Sequence, residues 1–156
     1  MASRDGNTRS GGLTGLQLPL LGGGRPAVLA SACLCGQRCR WHGKPTSKHP
    51  RVRALERSGE TVVPICPEML GGLPCPRPPV TRRRGRLYQT DAETRTLRGR
   101  DVTAAFERGA AEAVRIARET GATEAYLCMR SPSCDPDGGV TARALAAAGL
   151  KLYGLF

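Results

Sequence analysis

Along the chain, apolar runs of four or five residues alternate with stretches whose apolar side chains recur every three or four positions. The first run, Ala27-Val28-Leu29-Ala30, predicts a strand that leads straight into Ser31-Ala32-Cys33. A loop over 35–50 follows, rich in turn formers and basic residues. Residues 50–58 predict a short helix with Val52 and Leu55 on one side and Gly59 just past its end. Thr61 to Ile65 read as the next strand, with Cys66 at its tip. Glycine and proline punctuate 67–79 too densely for a long regular helix, so this segment is expected to be a rigid, shaped loop.

The stretch from Arg82 to Arg100 begins with a basic patch, Arg82 to Arg86, and predicts no more than a weak hairpin or an irregular crossover. From Asp101 the period becomes helical. Val102, Ala105, Phe106, Ala110, Ala113, Val114 and Ala117 share one broad face, with Asp101 or its neighbour as N-cap and Gly121 closing the helix. A third strand, Glu124 to Cys128, leads to 130-RSPSC-134. A helix over 140–148, a break at Gly149 and a short strand at Lys151 to Tyr153 complete the pattern. This order predicts an α/β fold: a compact, single-domain, Rossmann-like three-layer sandwich with a mostly parallel sheet. The C-terminal ends of parallel strands share one edge, so Cys33, Cys66 and Cys134 can converge there from distant parts of the chain.

Length agrees with that picture, because 156 residues suffice for one core but hardly for two. No apolar run approaches a membrane span. Arg4, Asp5 and Arg9 precede a short apolar patch, Leu16 to Leu21, that Pro19 interrupts; residues 1–26 therefore read as a disordered extension rather than a signal peptide. A cytoplasmic protein with no membrane partner, monomeric or homodimeric, is the expectation.

Charge adds a question. The 24 lysines and arginines against 13 acidic residues give a formal net charge of +11, enough to steer anions and to support salt-dependent nucleic-acid binding. One Trp, three Tyr and two Phe make a poor base-stacking platform, so nucleic acid is a subordinate partner.

The seven cysteines argue against a complete intramolecular disulfide framework, because their number is odd. Three thiolates at one sheet edge could hold an iron–sulfur cluster, but spacing alone leaves a cluster, zinc and inert thiols all open. Cys35, Cys75 and Cys128 read as ordinary thiols. Cys39 is the one further cysteine close enough in the first loop to matter.

The segments 31-SACLCGQRCRWHGK-44, 64-PICPEMLGGLPCPRPP-79, 99-GRDVTAAFERGA-110, 130-RSPSC-134 and 139-GVTARALAAAG-149 resemble the DUF523 family, which includes the 2-thiouracil desulfurases. The resemblance makes residues 27–156 an iron–sulfur desulfurase domain. It implies a [4Fe–4S] cluster on Cys33, Cys66 and Cys134 with one iron not ligated by protein. That iron would take sulfur from a small thiolated nucleobase such as 2-thiouracil, and the acceptor of the sulfide is left undefined.

Within that frame Glu68 is expected to serve as general base or acid for water addition, and one hydroxyl of Ser131 and Ser133, with Ser131 preferred, to bind the substrate carbonyl or relay a proton. The plainer alternatives are a Glu that accepts backbone N–H groups and a Ser that caps a turn. Arg38, Arg40, His42 and Lys44 would make the mouth basic, and Trp41 could wall the pocket. The chain departs from the family where Asp135-Pro136-Asp137-Gly138 follows Cys134, a shorter connection than usual, and at Cys35, Cys75 and Thr81. Competing classes are a sulfur-transfer enzyme for another small thio-compound, a basic tRNA-binding protein acting on thiolated bases, and a structural zinc protein.

Overall fold

The computed structural model of the chain describes residues 25–94 and 96–156. The expectation for the N-terminal extension falls outside the described residues as far as residue 24.

Four parallel strands form the main sheet: β1 (Val28–Ser31), β2 (Val62–Ile65), β6 (Glu124–Cys128) and β7 (Lys151–Leu155). Their spatial order is β2-β1-β6-β7. Pairing brings Ser31 opposite Ile65 and Cys128 opposite Leu155, which aligns the C-terminal ends of the strands. β1 and β2 are joined through helix α1 (Pro50–Arg57), and β6 and β7 through α4 (Val140–Ala147). From the neighbours β1 and β6 the chain thus leaves in opposite directions, and an open parallel sheet has its crevice at such a point.

Between β2 and β6 lie a one-turn helix α2 (Pro67–Leu70), three short strands β3 (Val80–Arg83), β4 (Arg86–Thr90) and β5 (Leu97–Asp101), and the long helix α3 (Thr103–Thr120). The three strands form a separate antiparallel sheet, where the sequence suggested only a weak hairpin or crossover. Arg84 and Gly85, both at positive φ, make its two-residue turn. The basic run 82–86 is therefore a hairpin whose cations are partly occupied: Arg82 donates to the Gly138 carbonyl, and Arg86 pairs with Asp101.

Local chemistry accounts for the helices. His49 caps α1, its Nδ1 accepting from the Arg51 N–H, Pro50 occupies the first turn, and Val52 and Leu55 turn inward. α3 buries Ala105, Phe106, Gly109, Ala110, Ala113 and Ala117 along one face. Its N-cap is Val102, because Asp101 still belongs to β5; the Asp101 carboxylate nonetheless accepts the Thr103 N–H. Gly121 ends the helix at φ +68.

The main core joins Leu29, Ala30, Val52, Ile65, Ala113, Ala125, Leu127, Ala142 and Leu145. A second cluster, Leu73, Leu87, Val102, Ala105 and Phe106, fixes the small sheet to the first turns of α3. Truncating a fully buried leucine such as Leu29 to alanine would cost about 2–5 kcal/mol. No helix among the described residues is long and apolar enough to cross a membrane.

Candidate active site

Past the last residue of β1 the backbone tightens into a 3-10 turn, Ala32–Cys35, closed by Gly36 at φ +87. That turn aims Cys33 across the C-terminal edge of the sheet. β2 ends one residue before Cys66, and α2 follows at once with Pro67 in its first turn. β6 ends in Cys128, and a loop pinned by Asp135 carries Ser131 to Cys134 back over the sheet edge. The Asp135 carboxylate accepts from the Arg130 and Asp137 N–H groups at 2.7 and 2.9 Å, which keeps this short connection compact.

These three strand ends surround a cavity of about 320 Å³. Cys33, Cys66 and Cys134 line it, as do Glu68 and Ser131. So do Ser133, the alternative to Ser131, and two residues whose part the sequence did not reveal, Cys128 and Arg77. Cys39, the further cysteine considered from the sequence, also lies there. Cys35 instead packs against the main core, and the Cys75 thiol donates to the carbonyls of Arg38 and Arg40 at 3.3 Å. Arg40, Trp41, Arg130 and Phe156 form the mouth, Arg130 lying over the Phe156 ring. Arg38, His42 and Lys44 do not reach the cavity wall; His42 Nδ1 accepts from the Lys44 N–H in a local turn.

The carboxylate is held from two sides. Arg77 Nε donates to Glu68 Oε2 at 2.6 Å, and Ser133 Oγ donates to Glu68 Oε1 at 3.2 Å. Side-chain exposures of 3% for Arg77 and 11% for Glu68 make this a buried ion pair. Arg77 also donates to the Cys39 and Pro74 carbonyls, at 2.9 and 3.2 Å. The plainer expectation for Glu68, acceptance of backbone N–H groups, is thus replaced by a guanidinium and a hydroxyl. Ser131 Oγ stands 3.1 Å from Ser133 Oγ and accepts from the Cys134 N–H at 3.1 Å.

The thiols differ in acidity for physical reasons. Hydrogen bonds from Cys128 and Cys39, with help from Arg40, hold Cys33 well below the ordinary thiol range despite burial. A hydrogen bond from Cys39 lowers Cys66 to about 7, against the effect of burial. Cys39 and Cys128, as partners of these anions, are pushed up. Burial raises Cys134 to about 11, offset in part by the Ser31 and Ser133 hydroxyls, which donate to its sulfur. Arg40 Nη2 lies 3.3 Å from the Cys128 sulfur.

All seven cysteines are free. Among the described residues no three His, Cys, Asp or Glu side chains come together as a single metal ion requires. A structural zinc ion draws its sulfur ligands to about 2.3 Å. Soft donors spread around a roomy cavity suit a multi-iron cluster, whose cysteines sit at its corners, better than they suit one zinc ion.

Comparisons with known proteins place the chain in a family. A family model described as 2-thiouracil desulfurase matches residues 28–153. An uncharacterised protein of Bacillus subtilis (strain 168), YbbK, is 34% identical over 110 residues, covering 69% of this chain and 72% of that protein. Among solved structures, the [4Fe-4S]-dependent thiouracil desulfidase TudS is similar with a TM-score of 0.71 at 30% identity, over 83% of this chain and 91% of that one. With the family model spanning both the sheet and every strand end that lines the cavity, the chain belongs to the 2-thiouracil desulfurase family.

Proposed function

We propose that this protein is a [4Fe–4S]-dependent desulfurase that converts a small thiolated pyrimidine such as 2-thiouracil to uracil without net oxidation or reduction. The observation that carries the reading is the presence of three strand-end cysteines in the same cavity as a buried, doubly held carboxylate. Similarity to a solved thiouracil desulfidase supports it. The setting is the cytoplasm, where thiols stay reduced.

Cys33, Cys66 and Cys134 are the proposed cluster ligands. When bound, such a cluster supplies one iron without a protein ligand, a Lewis acid for the thiocarbonyl sulfur. Glu68 is the proposed proton acceptor as water adds to the thiocarbonyl carbon. Arg77 keeps that carboxylate from turning away, and Trp41 with Phe156 screens the cavity mouth. Arg40 and Arg130 give that mouth positive charge, which favours an anionic form of the substrate.

A second reading, sulfur transfer to or from another small thio-compound, draws on Cys39 and Cys128, two cavity thiols outside the proposed ligand set. Anaerobic reconstitution with iron and sulfide, followed by incubation with 2-thiouracil, separates the two. Uracil formed only by the reconstituted protein supports the desulfurase. A retained cluster that yields no uracil, but loads sulfur onto another small acceptor, favours the second reading. Failure to retain iron and sulfide overturns both.

A further inference from the structure

The small antiparallel sheet has one face on the core and one face on solvent. Register sets Arg83 opposite Arg86 and Thr81 opposite Tyr88, and paired residues of an antiparallel ribbon share a face. Leu87 and Gln89, which alternate with them along β4, are buried, Leu87 in the cluster with Val102, Ala105 and Phe106. Thr81, Arg83, Arg86 and Tyr88 therefore point away from the core. The first three are exposed and Tyr88 is half-buried, while Arg84 and Gly85 form the exposed tip.

Charge on this arm is one-sided. Arg82 is engaged by the Gly138 carbonyl at 2.8 Å and Arg86 by the Asp101 carboxylate, and these contacts fasten the hairpin to the loop after Cys134 and to β5. Arg83, Arg84 and Arg100 are exposed, and among the described residues no acidic side chain pairs with them. Arg100 lies on the adjoining strand, next to the residue paired with Tyr88. The turn adds a second observation. Two-residue hairpin turns with positive φ at both positions favour Asn-Gly, yet Arg84 holds the first position at φ +48. A long cation kept in the left-handed region at a cost in stability is a tip that folding alone does not call for.

Arginines without counterions around one half-exposed tyrosine suit a chain of phosphates and bases. A guanidinium binds phosphate through two parallel N–H donors, and an aromatic ring offers a stacking face to any base. A membrane-binding arm would carry apolar side chains at its tip, where this one has Arg84 and Gly85. An acidic protein surface would leave Tyr88 without a role. We propose that the outer face of the β3–β4 hairpin is a docking surface for single-stranded RNA, held through its phosphates by Arg83, Arg84 and Arg100, with Tyr88 against a base. Unpaired stretches are the rule in RNA and the exception in DNA, which decides between the two strands as partners. The low aromatic count of the whole chain weighs less here, because one of its three tyrosines stands inside the basic patch.

Fluorescence anisotropy of a labelled, unstructured RNA of about 16 nucleotides, titrated with the intact chain, measures the association. The parent is expected to bind with a Kd of about 10⁻⁶ to 10⁻⁴ M at physiological salt. Each phosphate contact on a single strand contributes about 0.7 to the slope of log affinity against log salt. Arg83→Ala, Arg84→Ala and Arg100→Ala combined should therefore flatten that slope by about 2. Tyr88→Ala should weaken binding about fivefold or more with the slope unchanged, since stacking releases no counterions. Arg57→Ala, Arg118→Ala and Arg143→Ala combined remove the same charge from exposed positions on α1, α3 and α4, and should keep the parent's slope.

Arg84→Asn separates binding from folding. It should raise the urea midpoint, because Asn-Gly suits the turn, and lower the affinity for RNA at the same time. If the triple hairpin variant does not fold by circular dichroism, this single variant decides the matter. A parent that binds no RNA at low salt would overturn the docking surface. So would an equal loss of slope in the two triple variants, which would assign the binding to diffuse net charge. Preference for single-stranded DNA of the same sequence would reject RNA as the partner. Hairpin-dependent binding to anionic phospholipid vesicles in place of RNA would assign the arm to a membrane surface and overturn the proposal.

Discussion

Gly109 faces Pro67 so closely that a Cβ added to the glycine would lie 1.8 Å from the proline carbonyl oxygen. Gly71, at the other end of the same one-turn helix, is in similar contact with the Ala105 carbonyl, at 1.9 Å. Two glycines therefore let α2, which carries Glu68, sit directly on the backbone of α3. The carboxylate's place in the cavity depends on this approach as much as on its hydrogen bonds.

Gly109→Ala should separate α2 from α3. In exposed helix interiors alanine is the better helix former, but here overpacking prevails, and a loss of about 1–3 kcal/mol is expected. Urea unfolding measures it. The same variant should lose turnover with its cluster content unchanged, since the shift falls on Glu68 more than on the strand ends. Parental stability and activity together would show that the backbone yields at no cost.

Arg77→Ala leaves the Glu68 carboxylate buried without its guanidinium. Breaking a buried pair from one side costs about 3–5 kcal/mol, and Arg77 also fastens the Cys39 and Pro74 carbonyls. Glu68→Gln, which still offers an oxygen to Arg77, is expected to be the milder change in stability and the severe one in activity. Chemical unfolding of both variants beside the parent decides whether that ranking holds.

Cys33→Ser, Cys66→Ser and Cys134→Ser should each fail to retain a full complement of iron and sulfide after anaerobic reconstitution. Cys75→Ser should retain it, because that thiol serves the carbonyls of Arg38 and Arg40 outside the cavity. Iron and acid-labile sulfide per chain, read with the visible absorption, provide the comparison. Equal content in all four variants would remove the ligand assignment.

Alkylation of the cluster-free protein should follow thiol acidity and access. Cys33 and Cys66, lowered by their cysteine neighbours, carry thiolate at neutral pH and react first. Cys35 is half-buried but raised to about 11 by burial, so it needs alkaline solution. As pH falls toward neutrality, modification of Cys35 should fade while that of Cys33 persists. Peptide mapping after a short exposure to iodoacetamide would reveal the order, and preferential labelling of Cys35 at neutral pH would contradict it.

What the sequence determined by itself was the alternation of elements and the delivery of cysteines to strand ends. Four-residue apolar runs, the helical period from Val102 to Ala117 and the punctuation at Gly59, Gly121 and Gly149 act over one or two turns of chain, so they are readable locally. The cysteines after β1, β2 and β6 follow from parallel topology, since such strands share an edge.

Tertiary structure alone decided the rest. The stretch before α3 carries little periodicity, and it becomes a sheet because Leu87 packs with Leu73 and with Val102 and Phe106 at the start of α3. Cys128 looked like an ordinary core thiol because its neighbours in sequence are apolar; its closeness to Cys33 depends on β6 lying beside β1. Arg77 sits in a proline-rich loop whose sequence gives no hint of a partner nine residues back, and Ser133 meets Glu68 across 65 residues. Local chemistry sets which residues can form an element, but hydrogen bonds between distant loops exist only once packing has fixed where those loops end.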